Sequence, residues 1–129
     1  MLLLCVHNSA RSQMAEGFAR SMAPNADVWS AGTKPTRVHP LAIEAMQEVG
    51  IDISGQASKS VEAVPVGSID TLVTLCAESE LECPQVSTEA RRLHWPLPDP
   101  AQEPASIEAF RRVRDEIRWR VSLLWPHGD

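Results

Sequence analysis

A small α/β sandwich built on a mostly parallel sheet is the fold this sequence predicts, on three observations. An apolar run, Met1 to Leu4, delivers Cys5 to the end of a buried strand, and a helix-compatible segment starts a few residues later. A second short run rich in β-branched and apolar residues, Ser68 to Cys76, reads as another buried parallel strand. The elements then follow the order strand, helix, strand, helix, strand, strand, helix, which sets helices against a parallel sheet.

Each element has its own signal. Met14, Phe18 and Met22 recur at helical spacing beside Ala15 and Ala19, predicting a first helix over about Arg11 to Ala23, before Pro24. Asp27 to Gly32 predicts a short strand closing in a glycine turn, followed by a loop with Pro35 and Pro40. Leu41, Ile43, Ala45, Met46 and Val49 predict a second helix that Gly50 ends as a C-cap. Ile51 to Lys59 is a polar connection, and Ser60 to Val64 has room for one helical turn before Pro65. A fourth strand is expected near Arg92 to Trp95, after which three prolines hold Pro96 to Pro100 extended. From about Ser106 to Trp125 the positions Ile107, Phe110, Val113, Ile117, Val121 and Leu124 predict the closing helix, its arginines and acids forming a solvated face. Trp29, Trp95, Trp119 and Trp125 are expected to be packing residues.

The 129 residues suit one domain, 1–129. A formal charge of −5 gives no reason to expect nucleic acid as a partner. The longest apolar runs fall far short of the roughly 20 residues of a membrane span, so no membrane association is expected. No basic region precedes the N-terminal apolar residues, and the three cysteines are an odd number. Both point to a reducing compartment, and a cytoplasmic location is expected. No two histidines share ligand spacing, so no metal is assigned, and His39, His94 and His127 carry no readable signal.

The chemistry starts at Cys5-Val6-His7-Asn8-Ser9-Ala10-Arg11-Ser12. Five mostly small or polar residues separate the thiol from the arginine, and their backbone N–H groups can curl around a tetrahedral oxyanion at a helix N-terminus. The same donors and the Arg11 guanidinium favour thiolate, moving Cys5 from about 8.5 toward the roughly 3.5–7.5 range of activated cysteines. Arg11 can grip two oxygens of the anion in fork geometry. Ser12 can donate to the Cys5 sulfur, Asn8 can fix the loop's shape, and His7 either adds positive charge or faces solvent. Cys76 ends a strand on the same sheet edge as Cys5, and Cys83 follows after six residues. That pair is either a thiol relay or one buried and one exposed cysteine. Asp99, between two prolines, is either a proton donor to a leaving oxygen or an ordinary turn aspartate.

These segments together resemble a known family. Cys5 to Ser12 continuing through Gln13-Met14-Ala15-Glu16-Gly17-Phe18, then Ser30-Ala31-Gly32, Val73-Thr74-Leu75-Cys76 with Cys83-Pro84, His94-Trp95 and Asp99-Pro100-Ala101 are similar, in register, to the thioredoxin-coupled arsenate reductases. The resemblance implies the low-molecular-weight tyrosine phosphatase fold, a three-layer sandwich around a four-stranded parallel sheet. It also implies an arsenate reductase in which Cys5 attacks arsenate held by the amides of Val6 to Ala10 and by Arg11, with phosphate or sulfate as substrate mimics. Asp99 would protonate the departing oxygen, Ser12 steady the thiolate, and Cys76 and then Cys83 carry the disulfide to thioredoxin. No bound cofactor is implied, and a monomer is expected.

The sequence departs from that pattern in two places. Some members bind potassium near the loop asparagine, through a serine matching Ser30 and through a threonine and an aspartate whose positions here hold Ala57 and Lys59. A Lys59 ammonium supporting Asn8 directly in the cation's place is the expectation. A second loop cysteine of the family is Ala10 here. The rival readings are a tyrosine phosphatase using Cys5, Arg11 and Asp99, and a non-catalytic oxyanion or redox sensor. The phosphatases usually carry proline where Gln13 stands and have no use for Cys76 and Cys83, while residual phosphatase activity is expected of the reductase too.

Overall fold

In a computed structural model, residues 1–78, 80–102 and 104–125 are described; His127 lies outside them. Four parallel strands, β1 (Leu2–Cys5), β2 (Trp29–Gly32), β3 (Thr71–Thr74) and β4 (Arg91–His94), form one sheet in the order β2-β1-β3-β4. Three helices accompany them, α1 (Arg11–Met22), α2 (Pro40–Gln47) and α3 (Ile107–Leu124). β1 pairs with β2 from Leu2 opposite Trp29 to Cys5 opposite Gly32, and with β3 from Leu2 opposite Leu72 to Leu4 opposite Thr74. The central strand is wholly buried, which is why it reads as a continuous apolar run rather than an alternating one.

The pleat divides the core in two. Leu3 and Val73 face Met14, Phe18, Met46, Phe110 and Ile117, so the three helices pack on one side of the sheet. Leu2, Leu4 and Leu72 face Val64, Ile69 and Val86 on the other side. That third layer is thin and includes two short 3-10 turns, Val61–Ala63 and Val66–Ser68. The first of them fills the place where one helical turn was expected.

Element ends shift by a few residues for local reasons. His39, which carries no readable signal in the sequence, caps α2, its Nδ1 accepting from the Leu41 N–H at 3.1 Å with Pro40 at the first helical position. At the other end Ile51 N–H donates to Met46 O and Gly50 N–H to Gln47 O, with Gly50 at φ 81, so the helix stops at Gln47 rather than running to Val49. β3 is shorter than the apolar run: Ser68 belongs to a 3-10 turn, and beyond Thr74 the ladder has ended although Leu75 N–H still reaches Leu4 O. Two expectations fail outright. Trp119 is 57% exposed and so is no core residue, and Arg114 on α3 is buried rather than solvated.

Arg114 is buried because it is paired. Its Nη1 donates to Ala45 O at 3.0 Å and to Glu48 Oε1 at 2.7 Å, while Arg111 grips the same carboxylate in a fork. This clamp joins the end of α2 to α3. Hydrogen bonds from Arg111, then from Arg114, hold the Glu48 carboxyl at about 2, well below its ordinary 4.5. A carboxyl lowered on folding contributes stability above its unfolded pKa and loses it as pH falls through the folded value. Thermal unfolding of wild type and Glu48→Gln should therefore differ most above pH 4.5 and converge as pH approaches 2. A gap independent of pH over that window would show that the ion pairs contribute nothing.

Candidate active site

The carboxyl ends of β1 and β3 bring Cys5 and Cys76 to one edge of the sheet, where open parallel sheets bind ligands. Cys5 is buried and free, and the segment Val6 to Ala10 turns from β1 into α1. Every carbonyl of that segment is engaged from outside. Val6 O accepts from Lys34 N, His7 O from Thr36 N and Ser58 Oγ, Ser9 O from His39 N, and Ala10 O from Met14 N. Asn8 O accepts from Gln13 Nε2 at 3.0 Å. Since C=O and N–H point in opposite directions across a trans peptide, this arrangement turns the loop amides inward. α1 starts without a side-chain cap, so its first-turn amides remain available to a ligand.

Asn8 sits at φ 48, in the left-handed region that asparagine tolerates better than most side chains. Its side chain is fully buried and fully used. Oδ1 accepts from Lys59 N–H and Gln13 Nε2, both at 2.9 Å, which fixes the amide's orientation. Nδ2 then donates to Ser12 Oγ at 2.7 Å and Ser30 Oγ at 2.9 Å. Ser12 Oγ lies 2.9 Å from Cys5 Sγ, a contact in which the hydroxyl donates when the sulfur is a thiolate, since a thiolate has no proton to give. Ser30 donates onward to Glu16 Oε1, whose other oxygen takes Arg20 Nε at 2.8 Å.

Lys59 corrects the expectation made for it. Its backbone N–H, not its ammonium, holds Asn8. The ammonium donates to Ala57 O at 3.0 Å and lies 3.7 Å from Glu16 Oε1, so its charge reaches Asn8 only through Glu16 and Ser30. The physical reason is the buried Glu16 carboxylate, a stronger attractor for a cation than a neutral amide.

A cavity of about 240 Å³ opens over this loop, lined by Cys5, His7, Arg11, Thr36, Asp99 and Ala101 among others. Ser9 and Ala10 also line it, whereas the Val6 side chain packs with Cys5 and Cys76, and Asn8 points into its own network. Asp99 is placed by the Ala101 N–H, which donates to Oδ1 at 2.9 Å. Cys76 and Cys83 form a disulfide with Cα atoms 5.9 Å apart; Cys76 shares a small buried cluster with Cys5, and the half-buried Cys83 packs against it.

Three residues of this site carried no signal of their own in the sequence. Gln13 braces the loop by donating to Asn8 O, Asn8 Oδ1 and Ala57 O, and Glu16 anchors Ser30. Glu80 pairs with Arg11, whose Nη2 donates to Oε2 at 2.8 Å and whose Nη1 bonds Oε1. Arg11 Nη1 also donates to Leu75 O and Leu97 O. Burial works against the Glu80 charge, but the bond from Arg11 and the Ala77 N–H outweigh it and lower its pKa. Burial likewise works against the Arg11 charge and is outweighed by Glu80, then Cys5 and Asp99, so its pKa rises. Among the described residues no cluster of three or more His, Cys, Asp or Glu side chains is arranged to hold a metal. None of the helices described is long and apolar enough to cross a membrane.

A parallel sheet whose first strand ends in a cysteine, an inward-turned amide loop and an arginine defines an enzyme of the cysteine-phosphatase type. The sequence profile described as "Low molecular weight phosphotyrosine protein phosphatase" matches residues 1–126. An arsenate reductase of Staphylococcus aureus (strain Newman) is 45% identical over 116 residues, covering 89% of this chain and 87% of that one. A solved structure of an arsenate reductase in the phosphate binding state aligns over 99% of this chain and 97% of its own, with TM-score 0.82 and 40% identity. A thioredoxin-dependent arsenate reductase of Corynebacterium glutamicum aligns over 97% of this chain and 59% of its own, with TM-score 0.69 and 29% identity. The chain belongs to the low-molecular-weight phosphotyrosine protein phosphatase family, in its arsenate reductase branch.

Gly32 shows how closely the loop is built against β2. A Cβ there would lie 2.5 Å from Val6 O and 2.8 Å from both Asn8 N and Cys5 O, all backbone atoms. Gly32→Ala should destabilise the protein by about 1–3 kcal/mol in urea unfolding and weaken inorganic phosphate binding with it. Wild-type phosphate affinity in that variant would mean that the loop tolerates a displaced β2.

Proposed function

We propose that this protein reduces arsenate to arsenite by a three-cysteine relay and is returned to its dithiol state by thioredoxin. The observation that carries the proposal is the packing of Cys5, Cys76 and Cys83 in one cluster, with a disulfide between the last two, beside the anion cavity. A phosphatase needs only the first of these sulfurs.

The steps follow from the geometry. Arsenate enters the loop, its oxygens taken by the inward amides and Arg11. The Cys5 thiolate attacks arsenic, an As–O bond breaks, and Asp99 supplies the proton that lets the oxygen leave as water. The Cys76 thiolate then attacks Cys5 Sγ. The S–As bond breaks with its electron pair staying on arsenic, which leaves as arsenite, and a Cys5–Cys76 disulfide forms. The Cys83 thiolate attacks Cys76 Sγ and expels the Cys5 thiolate, and the resulting Cys76–Cys83 disulfide is the one present in this structure. A thioredoxin dithiol supplies the two electrons that reopen it and becomes a disulfide in turn. In this reading Ser12 steadies the thiolate, Asn8 and Ser30 keep the loop in shape, and Lys59 contributes through its backbone and Glu16.

Arsenate-dependent NADPH consumption with thioredoxin and thioredoxin reductase is the direct test. Wild type should turn over, and Cys83→Ser should release about one arsenite per chain and stop; undiminished turnover in the variant would remove Cys83 from the relay. Asp99→Asn should lower the rate of arsenate reduction by about 10²–10⁴ with little change in phosphate affinity. An unchanged rate would leave the leaving oxygen without this proton donor.

A further inference from the structure

The pairing of Glu80 with Arg11 has no part in the relay as written, yet it links the two halves of the site. Glu80 lies within the eight-residue ring that the Cys76–Cys83 disulfide closes, with six residues between the cysteines. Its carboxylate is held there by the Ala77 N–H, 2.7 Å from Oε1, and presents both oxygens to Nη1 and Nη2 of Arg11. Arg11 is 2% exposed, and its Nη1 is already shared with Leu75 O and Leu97 O. The carboxylate reaches the guanidinium from a neighbouring cavity that Cys76, Glu78, Cys83 and His94 also line, so it does not plug the anion cavity. It acts on the arginine's charge and its fork instead. One guanidinium offers one positive charge, and a carboxylate in bidentate contact compensates most of it in a buried setting.

We infer that Glu80 is an internal counter-anion that occupies Arg11 while the Cys76–Cys83 disulfide is closed, so that the oxidised protein binds oxyanions weakly and the reduced protein binds them well. The loop around Glu80 is tied down by polar contacts: Thr33 Oγ1 donates to Glu82 O at 2.6 Å and Lys34 Nζ to Glu82 Oε1 at 2.8 Å. Reduction by a dithiol delivers two electrons and two protons, breaks the S–S bond, leaves two thiols and yields the donor's disulfide. The ring then opens, Ala77 and Glu80 are no longer constrained together, and Arg11 is free to take an oxyanion. Glu80 is thus a positioning residue that sets when Arg11 is available. The order has a use under the proposed relay, on which this inference rests for its purpose: an arsenate bound to oxidised protein would meet no thiol able to resolve its adduct.

The test is phosphate binding, which needs no turnover. Inorganic phosphate is titrated by calorimetry into wild type, Glu80→Gln and Glu80→Ala, each in the dithiol form and in the form with one free thiol per chain. Oxidised wild type should bind about tenfold or more weakly than reduced wild type, the scale of a charge-assisted hydrogen-bonded pair. Both variants should lose most of that difference by gaining affinity in the oxidised form alone. Equal binding by the two redox forms of wild type, or oxidised variants no tighter than oxidised wild type, would overturn the inference. A Glu80 that merely braced Arg11 would give weaker binding on substitution, and one that was only structural would change both redox forms alike. Failure of NADPH-coupled arsenate turnover in wild type would count against the relay and leave this measurement intact.

Discussion

The site depends on one side chain, the buried amide of Asn8. A loop that turns five carbonyls outward would unwind without something inside it to hold the turn. Asn8 does this from a left-handed backbone position, with two acceptor bonds to its oxygen and two donor bonds from its nitrogen. A buried amide with all its bonds made stiffens its surroundings, whereas one left partly unpaired is costly, so the network is all or nothing. Its donors and acceptors come from β2, α1 and the segment that carries Lys59. Loop shape is therefore a property of the whole rigid half of the fold rather than of the loop's own sequence.

That division explains what could be read from the sequence. Cys5, Arg11 and Ser12 lie within one short stretch, and the strand before and helix after them are strongly patterned, so the motif and its setting were legible together. β1, β2, β3 and the three helices were legible from apolar runs and helical spacing, which are local signals, whereas β4, Arg91–His94, is mostly polar and exposed and carried no such run. Of the groups that hold Asn8, Ser30 and Lys59 entered only through the family resemblance, and the bracing by Gln13, with Glu16 behind Ser30, was missed. Gln13 looks like any polar helix residue, and Glu16 looks like half of an ordinary Glu16–Arg20 pair until Ser30 is brought against it. Lys59 was singled out by its charge, yet the contact to Asn8 is made by its backbone N–H, which a charge in the sequence does not reveal. Arg114 misled for a related reason: a helix of alternating charges reads as solvated unless the partner on another helix, here Glu48, is known.

The other half of the site is built from weaker material. β1 reaches β2 through α1, and β2 reaches β3 through α2 and two 3-10 turns, but β3 reaches β4 over residues 75–90 with no α-helix among the described residues. Among the described residues of that crossover only Leu75, Cys76, Pro84 and Val86 are buried. Leu81 is 97% exposed. With so little apolar surface removed from water, the segment depends on its disulfide and on ion pairs, of which the exposed Lys34–Glu82 pair is worth about 0–1 kcal/mol. A segment held in this way opens at low free energy compared with the helices packed on the sheet.

The two halves meet at Arg11, and their difference in rigidity gives that meeting a direction. Helix α1 carries the arginine, and its guanidinium is also held by Leu97 O and by Leu75 O, the first residue past β3, whose N–H stays bonded to Leu4 O of β1, so it does not follow the rest of the crossover when that moves. Glu80 is the partner that moves. A contact between a fixed cation and a movable anion reports the state of the movable part, because its strength depends on whether the ring is closed and hardly at all on the loop around Cys5. Had the arginine been on the crossover and the glutamate on α1, opening the ring would have removed the anion's principal ligand just when a substrate had to bind. The placement found here does the reverse.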